Sequence, residues 1–122
     1  MDKVKFKLRA DEFRLVHDLL NHLLAVLSMK VGANLNEQNL RLKSDFVLLQ
    51  RIVQKKMAAK MVMLKKENNL NLTLDESIAF YVQVNRMDIG RLDDFSGAVV
   101  CAINSEIERF LLCQKSAKRT GT

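Results

Sequence analysis

Proline and tryptophan are missing from this sequence, and glycine occurs only four times in 122 residues. Proline and glycine are the main interrupters of helices, so their scarcity favours long helices joined by short turns. Aromatic residues make up 6% of the chain, and most fall at core positions. That leaves too few to build a row of base-stacking platforms for single-stranded nucleic acid. Cys101 and Cys113 are the only cysteines, which excludes a disulfide framework and a cysteine-rich zinc site. Without a secretory context they read as reduced thiols, buried or half-buried, in a cytoplasmic protein.

Long apolar runs are scarce too. The opening MDKVKFKLRADE is charged and lacks the apolar segment of a secretory leader. The apolar-rich run Leu19 to Met29 is too short to span a bilayer and contains Asn21 and His22. No phosphate-cradling glycine loop, serine elbow or zinc-ligand cluster can be read. His17 and His22 are five apart and miss a common helix face; Asp18 and His22 share one but are too few for a metal site. Neither cysteine has a histidine neighbour in sequence to form its thiolate. The expectation is therefore a protein without membrane span, catalytic residues, cofactor or metal.

What is present is 48% hydrophobic and 28% charged, the balance of a single globular domain over residues 1–122. Its organising stretch is Leu40 to Leu64, read as one long central helix. One apolar stripe holds Leu42, Phe46, Leu49, Val53, Met57 and Leu64; a second holds Leu48, Ile52, Ala59 and Met63. Apolarity on several sides means burial on several sides. The helix therefore lies at the centre of a bundle, or leaves one side for a second subunit.

The other elements follow from period and capping. Lys3 to Arg9 alternates basic and apolar residues, which predicts a strand with one buried face. Asp11 then caps a helix that runs to about Val31 and ends at Gly32. Asn36 is the next N-cap, and the central helix stops near residues 67–69. Leu70 to Leu74 alternates again. Thr73 and Glu76 have capping-box spacing and start a third helix, with Ile78, Tyr81, Val82 and Ile89 as its stripe. Asp93 or Asp94 caps a fourth helix reaching about Ser116, which buries Phe95, Val99, Ala102, Ile103, Ile107 and Phe110. Residues 116–122 form a basic, flexible tail. The two strands must pair, within the chain or across a dimer, because a lone strand is unstable. The fold class is mainly α (α+β): a four-helix bundle with a long central helix and a two-stranded ribbon, in the order β-α-α-β-α-α. FKLRADEF and LTLDESIAF, each a strand running into a helix start, carry a faint internal repeat.

Charge singles out two surfaces. Between Arg41 and Lys66, eight basic residues face one acid, Asp45, a net of +7 in a chain of net +6. Arg41, Arg51, Lys55 and Lys66 share a broad arc, while Lys56 and Lys60 point elsewhere. Lys3, Lys5, Lys7 and Arg9 form the outward row of the first strand. Glu106 and Lys60 each fall on an apolar stripe, and because a buried charge needs a partner, they are a conceivable ion pair.

The stretch KVKFKLRADEFRLV resembles the strand and first helix of ribbon-helix-helix DNA-binding proteins. That resemblance implies a strand paired across a dimer, with Lys3, Lys5, Lys7 and Arg9 facing the DNA major groove. Here the first helix is about twice as long, and a second strand-helix half follows.

The expected function is a small non-enzymatic interaction module, self-associating or serving as an accessory subunit, with a homo-oligomer or protein partner. The alternative is a nucleic-acid-binding protein using Lys3, Lys5, Lys7 and Arg9 or the arc of Arg41, Arg51, Lys55 and Lys66.

Overall fold

The computed structural model describes the backbone of residues 3–120 and the side chains of residues 3–113 apart from Ile89. The chain is 74% helical, with one two-stranded antiparallel sheet. The elements are β1 (Val4–Leu8), α1 (Ala10–Lys30), α2 (Glu37–Arg51), a π-helical turn (Ile52–Met57), α3 (Ala58–Met61), β2 (Asn68–Leu72), α4 (Leu74–Arg86), a 3-10 turn (Ile89–Arg91) and α5 (Asp94–Thr120).

β1 pairs with β2 of the same chain, with Val4 opposite Leu72, Phe6 opposite Leu70 and Leu8 opposite Asn68. The ribbon thus closes within one chain, unlike the cross-dimer pairing that the family resemblance implies. Val4, Phe6, Leu8, Leu70 and Leu72 are buried on its inner face. α1 lays Phe13, Val16, Leu20, Leu23 and Leu27 against the same core. Burying a side chain of the size of Phe13 contributes about 1.5–3 kcal/mol. α1 packs on α2 and α5, α2 packs on α4, and α4 packs on α5.

Both strand-to-helix joints are built alike. At the first, the Glu12 carboxylate accepts from the backbone N–H of Arg9 at 2.8 Å. At the second, Glu76 accepts from the N–H of Thr73 at 2.9 Å, and the Thr73 hydroxyl accepts from the N–H of Glu76 at 3.3 Å. Arg9, not Asp11, is therefore the N-cap position of α1, because the glutamate three residues on satisfies its amide. Asn36 caps α2 through the N–H of Asn39. Asp93 caps α5 through the N–H of Ser96 at 2.7 Å, and hydrogen bonds from Ser96 hold its carboxyl below the usual aspartate value. Gly32 follows the end of α1 for reasons of space. Its N–H donates to Asn39 Oδ1, and a Cβ there would stand 2.8 Å from Asn39 Nδ2.

The central helix departs from its sequence reading in two ways. It ends at Met61, where the reading carried it to residues 67–69. Asn68 explains the turn that follows, since its side chain accepts from the N–H of Lys65 and donates to the carbonyls of Lys65 and Leu8. Within the helix, Ile52–Met57 is wound as a π turn, with the N–H of Ala58 reaching five residues back to Val53. A π turn holds one residue more than an α turn, so the stripes beyond it rotate by about 100°. Leu42, Leu49, Ile52, Val53 and Met57 are buried as expected, whereas Ala59 is exposed; Met63, past the helix end, is 80% exposed.

α4 presents the opposite face from the one expected. Ile78 is exposed, Tyr81 and Val82 are half-buried, and the inward residues are Glu76, Ser77, Ala79, Phe80, Gln83 and Val84. The polar members each have a partner: Gln83 donates to Asp45 at 2.7 Å and Ser77 to the Leu74 carbonyl at 2.8 Å. α5 buries Val99, Ile103 and Ile107 as expected and adds Val100, while Phe95 and Ala102 are exposed and Phe110 is half-buried. It continues to Thr120 rather than ending near Ser116. The expectation for the tail over 116–122 reaches past the described residues.

Candidate functional site

The outer face of the ribbon carries one of the two basic regions that the sequence offered as alternatives, the row of Lys3, Lys5 and Lys7. Antiparallel partners point to the same side of a ribbon. Lys5 therefore stands beside Asn71, and Lys7 beside Asn69. Lys3, Lys5, Lys7 and Asn69 are exposed and Asn71 is half-buried. On the far side of β2 lies the central helix. Lys56 donates to the Asn71 carbonyl at 2.6 Å, and Lys60 donates to the Asn69 carbonyl. Through β2, the strand lysines and the helix lysines thus belong to one surface.

The charge on that face is uncompensated within the ribbon. Lysines two apart on a strand are about 7 Å apart, where each pair repels by about 0.6 kcal/mol in water. A carboxylate opposite each would contribute roughly 0.2–1 kcal/mol. The chain instead places the neutral amides of Asn69 and Asn71 there. On the β1 flank, towards α5, stand Glu12 and Glu106, each already paired with an arginine: Glu12 with Arg9 at 3.5 Å, Glu106 with Arg109 at 3.3 Å.

Beneath the β2 edge sits the one fully buried carboxylate among the described residues. Glu76 is 0% exposed. It accepts from Arg51 Nε at 2.9 Å, Lys56 Nζ at 2.5 Å and the Thr73 amide. Burial pushes its pKa up, but hydrogen bonds from Lys56, from the Thr73 backbone and from Arg51 outweigh that and hold it below the usual glutamate value. The group is thus an ionised anchor with its acceptor sites engaged. The π turn brings Arg51 and Lys56 to it from one side, and the capping box brings Thr73 from the other. Lys60 and Glu106 do not pair with each other; both are exposed, Lys60 turning to β2 and Glu106 to Arg109.

The remaining candidates scatter. Lys55 is exposed on the π turn, Lys66 is exposed in the turn before β2, and Arg9 pairs with Asp11 and Glu12 at the start of α1. Arg41 lies away from the ribbon, in a groove between α2 and α4 that also holds Glu37, Asp45 and Arg86. Sequence reasoning missed Lys56 and Lys60 as members of the face, and gave Glu76, Asn69 and Asn71 no part in a site. The readable signal was the glutamate at the third position of a capping box, opposite a run of polar residues, Gln54-Lys55-Lys56, inside an otherwise apolar helix.

Both cysteines are free and exposed, where the sequence reads as buried or half-buried thiols. Among the described residues, no helix is long and apolar enough to cross a membrane, and no cluster of three or more His, Cys, Asp or Glu could hold a metal.

No protein-family model matches this chain, and no curated protein or solved structure matches it significantly.

Proposed function

We propose that this protein is a non-enzymatic interaction module that holds an anionic partner on the outer face of its ribbon. The carrying observation is the row of Lys3, Lys5 and Lys7 set beside neutral Asn69 and Asn71 instead of acids. Such a row costs the free protein some stability, which a partner's carboxylates or phosphates restore. The non-enzymatic part rests on Glu76, a buried carboxylate whose lone pairs are taken by Arg51, Lys56 and Thr73. Around this face, α1, α2 with its continuation, α4 and α5 read as a four-helix bundle, each touching two neighbours. Two exposed free thiols favour a reducing, cytoplasmic setting.

Self-association belongs to another part of the surface. At the α1–α2 connection Met29 and Leu35 are 85% and 83% exposed, beside a cavity of about 390 Å³ lined by Val31, Leu40 and Phe46. Projecting side chains and a hollow on one patch are what a two-fold contact between identical chains requires. A second copy is therefore the partner proposed there.

Nucleic acid is the second reading of the ribbon, favoured by the mixture of lysines with asparagine amides, which suit phosphates and base edges. The test is binding of poly-glutamate and of duplex DNA across a salt series, with Lys5→Glu/Lys7→Glu and Asn69→Glu/Asn71→Glu as variants. Both variants should lose binding at low salt, and the asparagine variant should gain stability, by roughly 0.2–1 kcal/mol per site. If DNA is the ligand, the row of three lysines predicts a slope of log K against log salt of roughly −2.7. Binding unchanged in both variants would overturn the assignment of the face.

A further inference from the structure

The two edges of the ribbon are not equivalent. In an antiparallel ladder, alternate residue pairs exchange both hydrogen bonds, while the pairs between them turn their N–H and C=O groups outward. The carbonyls of Asn69 and Asn71 accept from Lys60 and Lys56, which approach from outside the ribbon. The pairs Lys7–Asn69 and Lys5–Asn71 are therefore the outward ones. It follows that the N–H and C=O groups of Lys5 and Lys7 point away from β2, towards α5. The β2 edge is sealed by lysine ammonium groups. On the β1 edge, among the described residues, no hydrogen bond engages the backbone of Lys5 or Lys7 from outside the ribbon. Instead a cavity of about 250 Å³ opens there between β1 and α5, bordered by Lys5, Lys7, Ala102, Ile103 and Glu106.

Resting on the reading of the ribbon as an anion-binding face, we propose that the β1 edge takes up an extended, acidic segment of a protein partner as a third strand. Main-chain bonds to Lys5 and Lys7 supply the pairing, as in other strand additions to an open sheet edge. Side-chain charge selects the occupant. A strand laid on this edge puts every second side chain beside Lys5 and Lys7, and like charges directly opposite each other are destabilising. A second copy of β1, with its own lysine row, is disfavoured for that reason, whereas glutamate or aspartate at alternate positions is favoured. The intervening side chains lie over the α5 flank, where Ala102 is exposed beside the buried Val99 and Ile103, which suits small or medium apolar residues. The acids already on that flank, Glu12 and Glu106, are each engaged by an arginine, so they leave the lysines to the partner. The recognised pattern is thus acidic and apolar residues in alternation, the charge complement of the segment KVKFKL.

The experiment uses the full chain and four labelled probes at low salt: an eight-residue peptide alternating glutamate and valine, two forms of it N-methylated on every second amide in opposite phases, and an oligonucleotide of matched charge. The expected result is that one methylation phase weakens binding at least tenfold while the other stays within twofold. The Lys5 and Lys7 amides should gain exchange protection in the complex. Lys5→Glu/Lys7→Glu should shift preference to the lysine–valine counterpart peptide. Equal binding of the unmethylated peptide and both methylated forms, or preferential binding of the oligonucleotide, would overturn strand addition and leave an anion-binding face. Binding of none of the probes would overturn that reading as well.

Discussion

Replacing Glu76 by glutamine removes one charge from the anchor beneath the ribbon and keeps its shape. Leaving an uncompensated charge in an interior costs about 3–5 kcal/mol. Here the cations left behind are only partly enclosed, the Lys56 side chain being 23% exposed and that of Arg51 47%. Both regain water, so the full penalty does not apply. What is lost is the charge assistance of the Lys56 bond, roughly 1 kcal/mol, and the Arg51 bond itself, because the glutamine NH2 cannot accept, roughly 1 kcal/mol more once Arg51 is hydrated. Since glutamine still accepts from the Thr73 amide, the expected loss at neutral pH is about 2 kcal/mol, or a fall in Tm of about 8 °C for a chain of this size. The dependence on pH has a definite sign. The Glu76 pKa is lowered by folding, so its contribution is present above the unfolded carboxyl value of 4.5 and disappears as pH falls through the folded value. Urea unfolding followed by circular dichroism at pH 7 and at pH 3 measures both effects. The stability gap between the parent and Glu76→Gln should be full at pH 7 and smaller at pH 3. A gap below about 0.5 kcal/mol at pH 7, or one equal at both pH values, would refute the role given to this carboxylate.

Two further outcomes follow from other parts of the molecule. Gly32→Ala should destabilise by roughly 0.5–1.5 kcal/mol in thermal unfolding, because the new methyl displaces Asn39 from its bonds to Gly32 and Asn34. Leu35→Glu with Leu40→Glu should convert any dimer to monomer in sedimentation equilibrium while leaving the helical spectrum intact; an unchanged dimer would move the self-association surface elsewhere.

Much of the architecture was legible because it rests on local rules. The alternation in Val4, Phe6 and Leu8, the cap at Asn36, the box at Thr73 and Glu76, and the cap at Asp93 each act within a few residues. Helix faces beyond the π turn were not legible, since extrapolating the α period through Ile52–Met57 places Ala59 on the wrong side, and Met63 lies past the helix end. The inward face of α4 was hidden for a different reason. Glu76, Ser77 and Gln83 look like surface residues until Arg51, Lys56, the Leu74 carbonyl and Asp45 come within bonding reach. Lys60 and Glu106, each on an apolar stripe by period, both reach solvent instead of pairing with each other. The candidate site suffered likewise. The row of Lys3, Lys5 and Lys7 was readable from period two, whereas its union with Lys56 and Lys60 depends on β2 lying between them.

The central claim is that the ribbon has one sealed edge and one open edge, and amide hydrogen exchange on the free protein reads this residue by residue. Phe6 and Leu70, paired across the ribbon, should exchange slowly, while Lys5 and Lys7 should exchange near the rate of unstructured chain. Equal protection along β1 would contradict the account, because it would mean that the edge facing α5 is already bonded.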